Sequence, residues 1–231
     1  MEHLPKEVLI DIAKYIRKGR FATKTLHSLT LCSRQMHTVF QPELYSHISP
    51  DWSIYWIRLI IHLWSHPELA NQVRHLQAVW STCGHGFWYE FDEEEFVGFI
   101  DYALDKIFEA EEKKLRSKWR KHLLLPCEEA WMGLLLVRLP HLHTIEFSYV
   151  DSKFVSDILR KAAQRQRPFH QTPPFPHLRE VIVAVPEGHG SVDAEILTPF
   201  FYFPAVRNIQ GGAVCECISD ETDKMPLDIR H

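Results

Sequence analysis

The sequence lacks most of the features that announce a chemistry. No uninterrupted apolar run approaches the length needed to cross a bilayer, so no membrane role is expected. Neither sign of charge dominates: 26 Lys and Arg stand against 30 Asp and Glu, for a formal net charge of −4 and a pI near 6.4. That balance offers no electrostatic case for nucleic acid as a partner. The five cysteines (Cys32, Cys83, Cys127, Cys215 and Cys217) are odd in number and irregularly spaced, which argues against a disulfide framework. No glycine loop with a lysine is present to cradle phosphate, since Gly188-His-Gly190 follows no clear strand and opens no clear helix. A Gly-x-Ser-x-Gly elbow is missing too. Fifteen histidines invite a metal reading. Yet Cys215-x-Cys217 has no second pair, and Cys83-x-His85 has no partner at zinc-ligand spacing. No catalytic residue, metal or cofactor is therefore expected, and the chain reads as a non-enzyme. Met1-Glu2-His3 opens without a basic region leading into an apolar one, so no secretory signal is expected. The default compartment is the reducing cytoplasm, the nucleus or both.

What is present is apolar patterning. With 231 residues, 45% hydrophobic and 24% charged, the chain can bury a real core in one or two domains. Its sharpest unit runs from Leu4 to Ile48. Leu4-Pro5 opens it, proline being tolerated where a helical N–H has no partner. Val8, Leu9, Ile12 and Ile16 follow at helical spacing, with Tyr15 widening the stripe. Arg17-Lys18-Gly19 then signals a helix end. Leu26, Leu29 and Leu31 mark a second helix. Met36, Val39 and Phe40 mark a third, expected to end at Gln41-Pro42. Leu44, Tyr45 and Ile48 form an apolar exit. Three short helices cannot bury all these groups on one another, so part of the apolar face must dock on something else.

These residues carry a resemblance. Leu4-Pro5-x-Glu7-Val8-Leu9-x-x-Ile12, Leu26-x-x-Leu29, Cys32-Ser33-Arg34 and Gln41-Pro42-x-Leu44-Tyr45 resemble an F-box. The exit is most similar to that of F-box proteins of filamentous fungi. The spacer Arg17 to Thr25 departs from the motif in being basic and glycine-containing. The resemblance covers residues 1–48 and implies docking onto a Skp-type adaptor in a cullin–RING ubiquitin ligase. It implies that Leu4, Pro5, Val8, Leu9, Ile12, Leu29, Leu44 and Tyr45 form or support the adaptor-binding surface. Residues 49–67 then read as a linker helix, capped by Asp51 and carrying Ile54, Ile57, Ile60, Ile61 and Trp64 up to His66-Pro67.

Residues 68–231 hold a recurring signature. Val73-x-x-Leu76-x-Ala78, Leu142-x-x-Ile145-x-Phe147, Leu178-x-x-Val181-x-Val183 and Val206-x-x-Ile209-x-Gly211 share one pattern. The last three follow Leu139-Pro140-His141, Phe175-Pro176-His177 and Phe203-Pro204-Ala205. Each reads as a short strand entered through a proline turn. Helical patterns precede the last three strands: Asp92 to Phe108 and Glu128 to Val137, then Phe154 to Ala163, then a weaker one over Val192 to Phe201. The fold class expected is mixed α/β: three N-terminal helices, a linker helix, then a short irregular solenoid of alternating helices and parallel strands. The signature is similar to leucine-rich repeats, without their asparagine and with uneven spacing. Between these elements, Cys83 to Asp92 reads as an aromatic loop pinned to the body. Glu109 to His122 reads as a solvated helix supported by Glu109–Lys113 and Glu112–Arg116 pairs. Gln164 to Pro176 reads as an extended surface loop, Pro186 to Ser191 as another, and the tail from Ser219 as structureless.

Stacked parallel strands would align the residues between the apolar positions into columns on the opposite face. One column would be Gln77, Glu146, Ile182 and Gln210, and the next His75, Thr144, Glu180 and Asn208. These eight are the expected substrate-binding residues, and their mixed polarity suits a protein partner. The function expected is substrate recognition for a Skp–cullin–F-box ubiquitin ligase. The alternative is a non-ligase scaffold using the box for adaptor binding alone.

Overall fold

The N-terminal helices form as the apolar spacing requires. In the computed structural model, which describes residues 4–19, 21–49, 54–79, 93–125, 127–148, 153–184, 192–212 and 214–215, they are Lys6–Arg17 (α1), Ala22–Thr30 (α2) and Arg34–Tyr45 (α3). Ser33 caps α3, its hydroxyl accepting from the Met36 N–H at 3.2 Å. That helix does not end at Gln41-Pro42. It runs through Pro42 to Tyr45; a proline there removes one N–H donor, and the last turn carries on without it. Leu9, Ala13, Leu26, Met36, Val39 and Phe40 are buried together as a small core of their own.

The remaining helices are Ile54–Ser65 (α4), Pro67–Ala70 (α5), Glu93–Ile107 (α6), Lys113–Leu124 (α7), Glu128–Arg138 (α8), Lys153–Ala163 (α9) and Ala194–Leu197 (α10). The last continues into a 3-10 turn over Thr198–Tyr202, so the weak helix expected over Val192 to Phe201 forms as one α-helical turn followed by a tighter one. The strands are His47–Ile48 (β1), His75–Val79 (β2), Thr144–Ser148 (β3), Glu180–Ala184 (β4), Val192–Asp193 (β5), Asn208–Gly211 (β6) and Val214–Cys215 (β7). Five of them make one sheet in the order β1-β2-β3-β4-β6, parallel throughout, while β5 and β7 pair separately. The fold is mixed α/β, with helices and strands alternating as the signature predicts. The strand β1 was not expected, and it makes Ile48 part of the larger core.

The strands enter the sheet in one recurring way. The Arg74 and His75 N–H groups share the Ser46 carbonyl, and those of His143 and Thr144 share that of Arg74. Arg179 and Glu180 share that of His143, and Arg207 and Asn208 that of Arg179. Leu142, Ile145, Phe147, Leu178, Val181 and Val183 all point into one core, none more than 1% exposed. The intervening residues of β4 are only half-buried, so the helices cover one face of the sheet and leave the other open.

Two expectations about charge and loops are corrected. The helix α7 starts only at Lys113, so Glu109 lies outside it. Glu109 pairs instead with Arg167 at 3.0 Å, Glu112 with Lys161 at 2.5 Å, and Arg116 with Asp105 at 2.6 Å. These are tertiary ties, and α7 is no free-standing solvated helix: its Trp119 and Leu123 are fully buried. The 164–176 segment is likewise pinned down. Arg167 donates to the Asp105 and Lys106 carbonyls at 2.6 and 3.1 Å, satisfying the end of α6, and Phe169 and Phe175 are buried. The Asp51 cap, the Cys83–Asp92 loop, the Pro186–Ser191 loop with Gly188-His-Gly190, Cys217 and the tail from Ser219 lie outside the described residues.

Candidate functional site

Two surfaces follow from this arrangement. On the N-terminal unit, Leu9 is 1% exposed and belongs to the core, so it supports the face and does not form it. Leu4, Ile12, Leu29 and Leu44 are half-buried around that core. Pro5 is exposed, and Val8 keeps 42% of its surface in solvent. Tyr45 packs against the larger core and thus belongs to the junction with the sheet. Tyr15 and Leu31, read as stripe residues, are 79% and 72% exposed. Together with Val8 they are large apolar groups left in water on a unit that has closed its own core.

The second surface is the open face of the sheet. Both expected columns stand in register: His75, Thr144, Glu180 and Asn208 are successive partners, as are Gln77, Glu146, Ile182 and Gln210. The strand β1 extends the first column by His47, whose ring stacks on His75 at 4.0 Å. Ser49 extends the second, its hydroxyl donating to Gln77 Oε1 at 3.4 Å. Gln77 Nε2 in turn donates to Glu146 Oε1 at 3.2 Å, and Asn208 Nδ2 to Glu180 Oε1 at 3.1 Å. Ser49, Gln77 and Glu146 thus orient one another in one column, and Glu180 and Asn208 in the other, while Ile182 interrupts the first of these chains.

Burial and nearby cations act together on the imidazoles at this end of the sheet. Burial, then the charges of His75 and Arg17, push His47 down to about 4. Burial, then Arg17, His143 and Arg74, also lowers His75, with Glu180 acting weakly the other way. Arg17 is held beside this end of the sheet by an ion pair with Glu43, which also ties α1 to α3. Further rings continue beyond His75: His143 lies 6.3 Å away, His177 lies 5.9 Å from His143, and His141 stacks on His177 at 5.4 Å. The sequence shows His141 and His177 only as parts of two separate proline lead-ins and does not join these rings into one row. Their places at or within three residues of a strand start were the signal that would have gathered them. Among the described residues, no group of three or more His, Cys, Asp or Glu is arranged to hold a metal ion. No described helix is long and apolar enough to cross a membrane.

No family model, no curated protein and no solved structure matches the chain. What defines it is the architecture: a mixed α/β protein whose five-stranded parallel sheet carries helices on one face and a polar, ordered array on the other.

Proposed function

We propose that this chain is the substrate-recognition adaptor of a Skp–cullin–F-box ubiquitin ligase working in the cytoplasm or nucleus. Residues 4–48 act as the F-box, and the sheet domain, a short leucine-rich-like solenoid, holds a protein substrate on its open face. The observation that carries this reading is a three-helix unit that closes its own core yet leaves Val8, Tyr15 and Leu31 in solvent. The chain would make and break no bonds itself. Its contribution would be effective concentration, holding the substrate near the ubiquitin-loaded partner.

The test is co-purification with a Skp-type adaptor. Val8→Asp, at an exposed position, is expected to leave thermal stability unchanged. It removes one buried apolar contact from the complex, worth about 1.5–3 kcal/mol, or a ten- to hundredfold loss of affinity. If the parent chain does not bind the adaptor, or the well-folded variant binds as the parent does, the reading fails. Ubiquitin transfer to a co-purified partner then separates ligase adaptor from scaffold.

A further inference from the structure

We propose that the strand-entry edge of the sheet is a binding site for a short acidic segment of a protein partner. Arg74, His143, Arg179 and Arg207 occupy equivalent places, each one residue before its strand. The shared-carbonyl bonds described above put them in a ladder. At about 4.8 Å per parallel strand, four positions span about 14 Å, the reach of four or five extended residues. His141 and His177 form a second, shorter row beside the first, and both lie close to His143.

Two of the arginines are held ready. Arg74 Nη1 donates to the Asn71 and Val73 carbonyls at 2.5 and 3.0 Å. Arg207 Nη1 repeats this with Pro204 and Val206, at 2.8 and 3.0 Å. Each clip fixes the guanidinium through one nitrogen and leaves Nε and Nη2 without a bond among the described residues. Pre-ordered donors of this kind lose less entropy on binding. Arg17, Arg58, Arg116, Arg120, Arg160 and Arg167 each pair with a carboxylate. Arg74, Arg179 and Arg207 have no carboxylate partner among the described residues, which is true also of Arg34, Arg138 and Arg165, but only these three stand together on one edge. The field they create is felt locally: His141 and His143 are held below the usual imidazole range by burial, then by Arg74 and His177, with Arg179 adding to the effect on His143. Glu180 belongs to the open-face column, where it takes the Asn208 amide.

A carboxylate-bearing peptide suits this edge better than a nucleic acid. The row is short, Glu146 and Glu180 flank it on the open face with charge that repels phosphate, and two of its rings, His141 and His177, are stacked on each other. The proposal needs no adaptor, so it stands or falls separately from the ligase reading.

Fluorescence anisotropy with labelled hexaglutamate and with a short oligothymidylate, on the full chain, tests it. Hexaglutamate is expected to bind, and the oligothymidylate to bind more weakly or not at all. The variant R74Q/R179Q/R207Q is expected to bind it at least about tenfold more weakly. Because that variant cuts two turn clips, H177Q/R179Q provides a second arm that touches neither and is expected to bind about threefold more weakly. Should the triple variant misfold, the double variant decides. Absence of hexaglutamate binding, tighter binding of the oligonucleotide, or parental affinity in the folded variants would overturn the proposal.

Discussion

Replacing Gly133 with alanine tests the packing that holds the helical layer together. Gly133 lies mid-helix in α8, where alanine is favoured over glycine by about 1 kcal/mol on propensity alone. A Cβ there would sit 2.4 Å from Cη2 of Trp119 and 3.0 Å from its Cζ3. An ordinary carbon contact lies near 3.5–4.0 Å, so the indole would have to retreat by about 1 Å. It has nowhere to go. Trp119 is fully buried, its ring centre 5.7 Å from that of Phe108 and 5.1 Å from that of Phe154, and Ile158 lies beyond the same glycine. Overpacking of this kind costs about 1–3 kcal/mol and occasionally more. Here the clash is severe and the ring boxed in, so the upper part of that range applies and outweighs the propensity gain. Gly133→Ala is therefore expected to destabilise the chain by about 1–2 kcal/mol net in urea titration. Trp119→Leu, costly on its own, removes the atoms in conflict, and Gly133→Ala made in that background is expected to be neutral or stabilising. A double-mutant cycle showing no coupling, or a Gly133→Ala chain as stable as the parent, would refute the reasoning.

Phe147→Ala, at a fully buried position on β3, is expected to cost about 3–5 kcal/mol, read from the shift in urea midpoint. Glu146→Lys with Glu180→Lys breaks two half-exposed side-chain bonds, at a cost of about 1 kcal/mol each or less. Affinity purification of the double variant is expected to show intact adaptor binding and reduced capture of partners. For His47, a folded-state value of about 4 against an ordinary 6.5 means that the unfolded chain binds more protons between those limits. Its share of stability is complete above about pH 6.5 and is lost as pH falls toward 4. Melting temperature against pH is expected to show a shallower acid-side slope for His47→Gln than for the parent.

The sheet was legible because its signal is local and repeated. A two-residue alternation places Ile145 and Phe147 on one face and Thr144 and Glu146 on the other, and the repeated pattern sets the register between strands. The strand β1 was not legible: His47-Ile48 is too short to show a period, and only its neighbour β2 makes it a strand. The ion pairs of Glu109 and Glu112 were misassigned because spacing along the chain says nothing of tertiary partners such as Lys161 and Arg167. Trp119 stood in a run dense with lysine and arginine, and its burial depends on a glycine fourteen residues later in a different helix. The alignment of the two columns was legible for the same reason as the sheet. The cationic edge was missed because its members look unrelated until the strand starts are superposed.

The junction between the helical unit and the sheet bears directly on what a two-surface protein can do. A flexible tether would make the separation of the two surfaces a matter of chain statistics, and effective concentration would fall as the tether lengthened. Here the chain passes from α3 into β1 with no intervening loop: Ser46 closes the helix and its carbonyl receives both the Arg74 and the His75 N–H at 2.9 Å. Ile48 is buried in the large core, Tyr45 packs against it, and Arg17 of α1 is close enough to depress both His47 and His75. The helical unit is thus fastened to the sheet by hydrogen bonds, apolar burial and charge within a few residues. A partner held on Val8 and another held on Glu146 would be kept at a defined distance and orientation, because α1 is tied to α3 and α3 leads through β1 and β2 to β3 by paired backbone hydrogen bonds. Loosening that junction, and not shortening a linker, is the change that would uncouple the two surfaces.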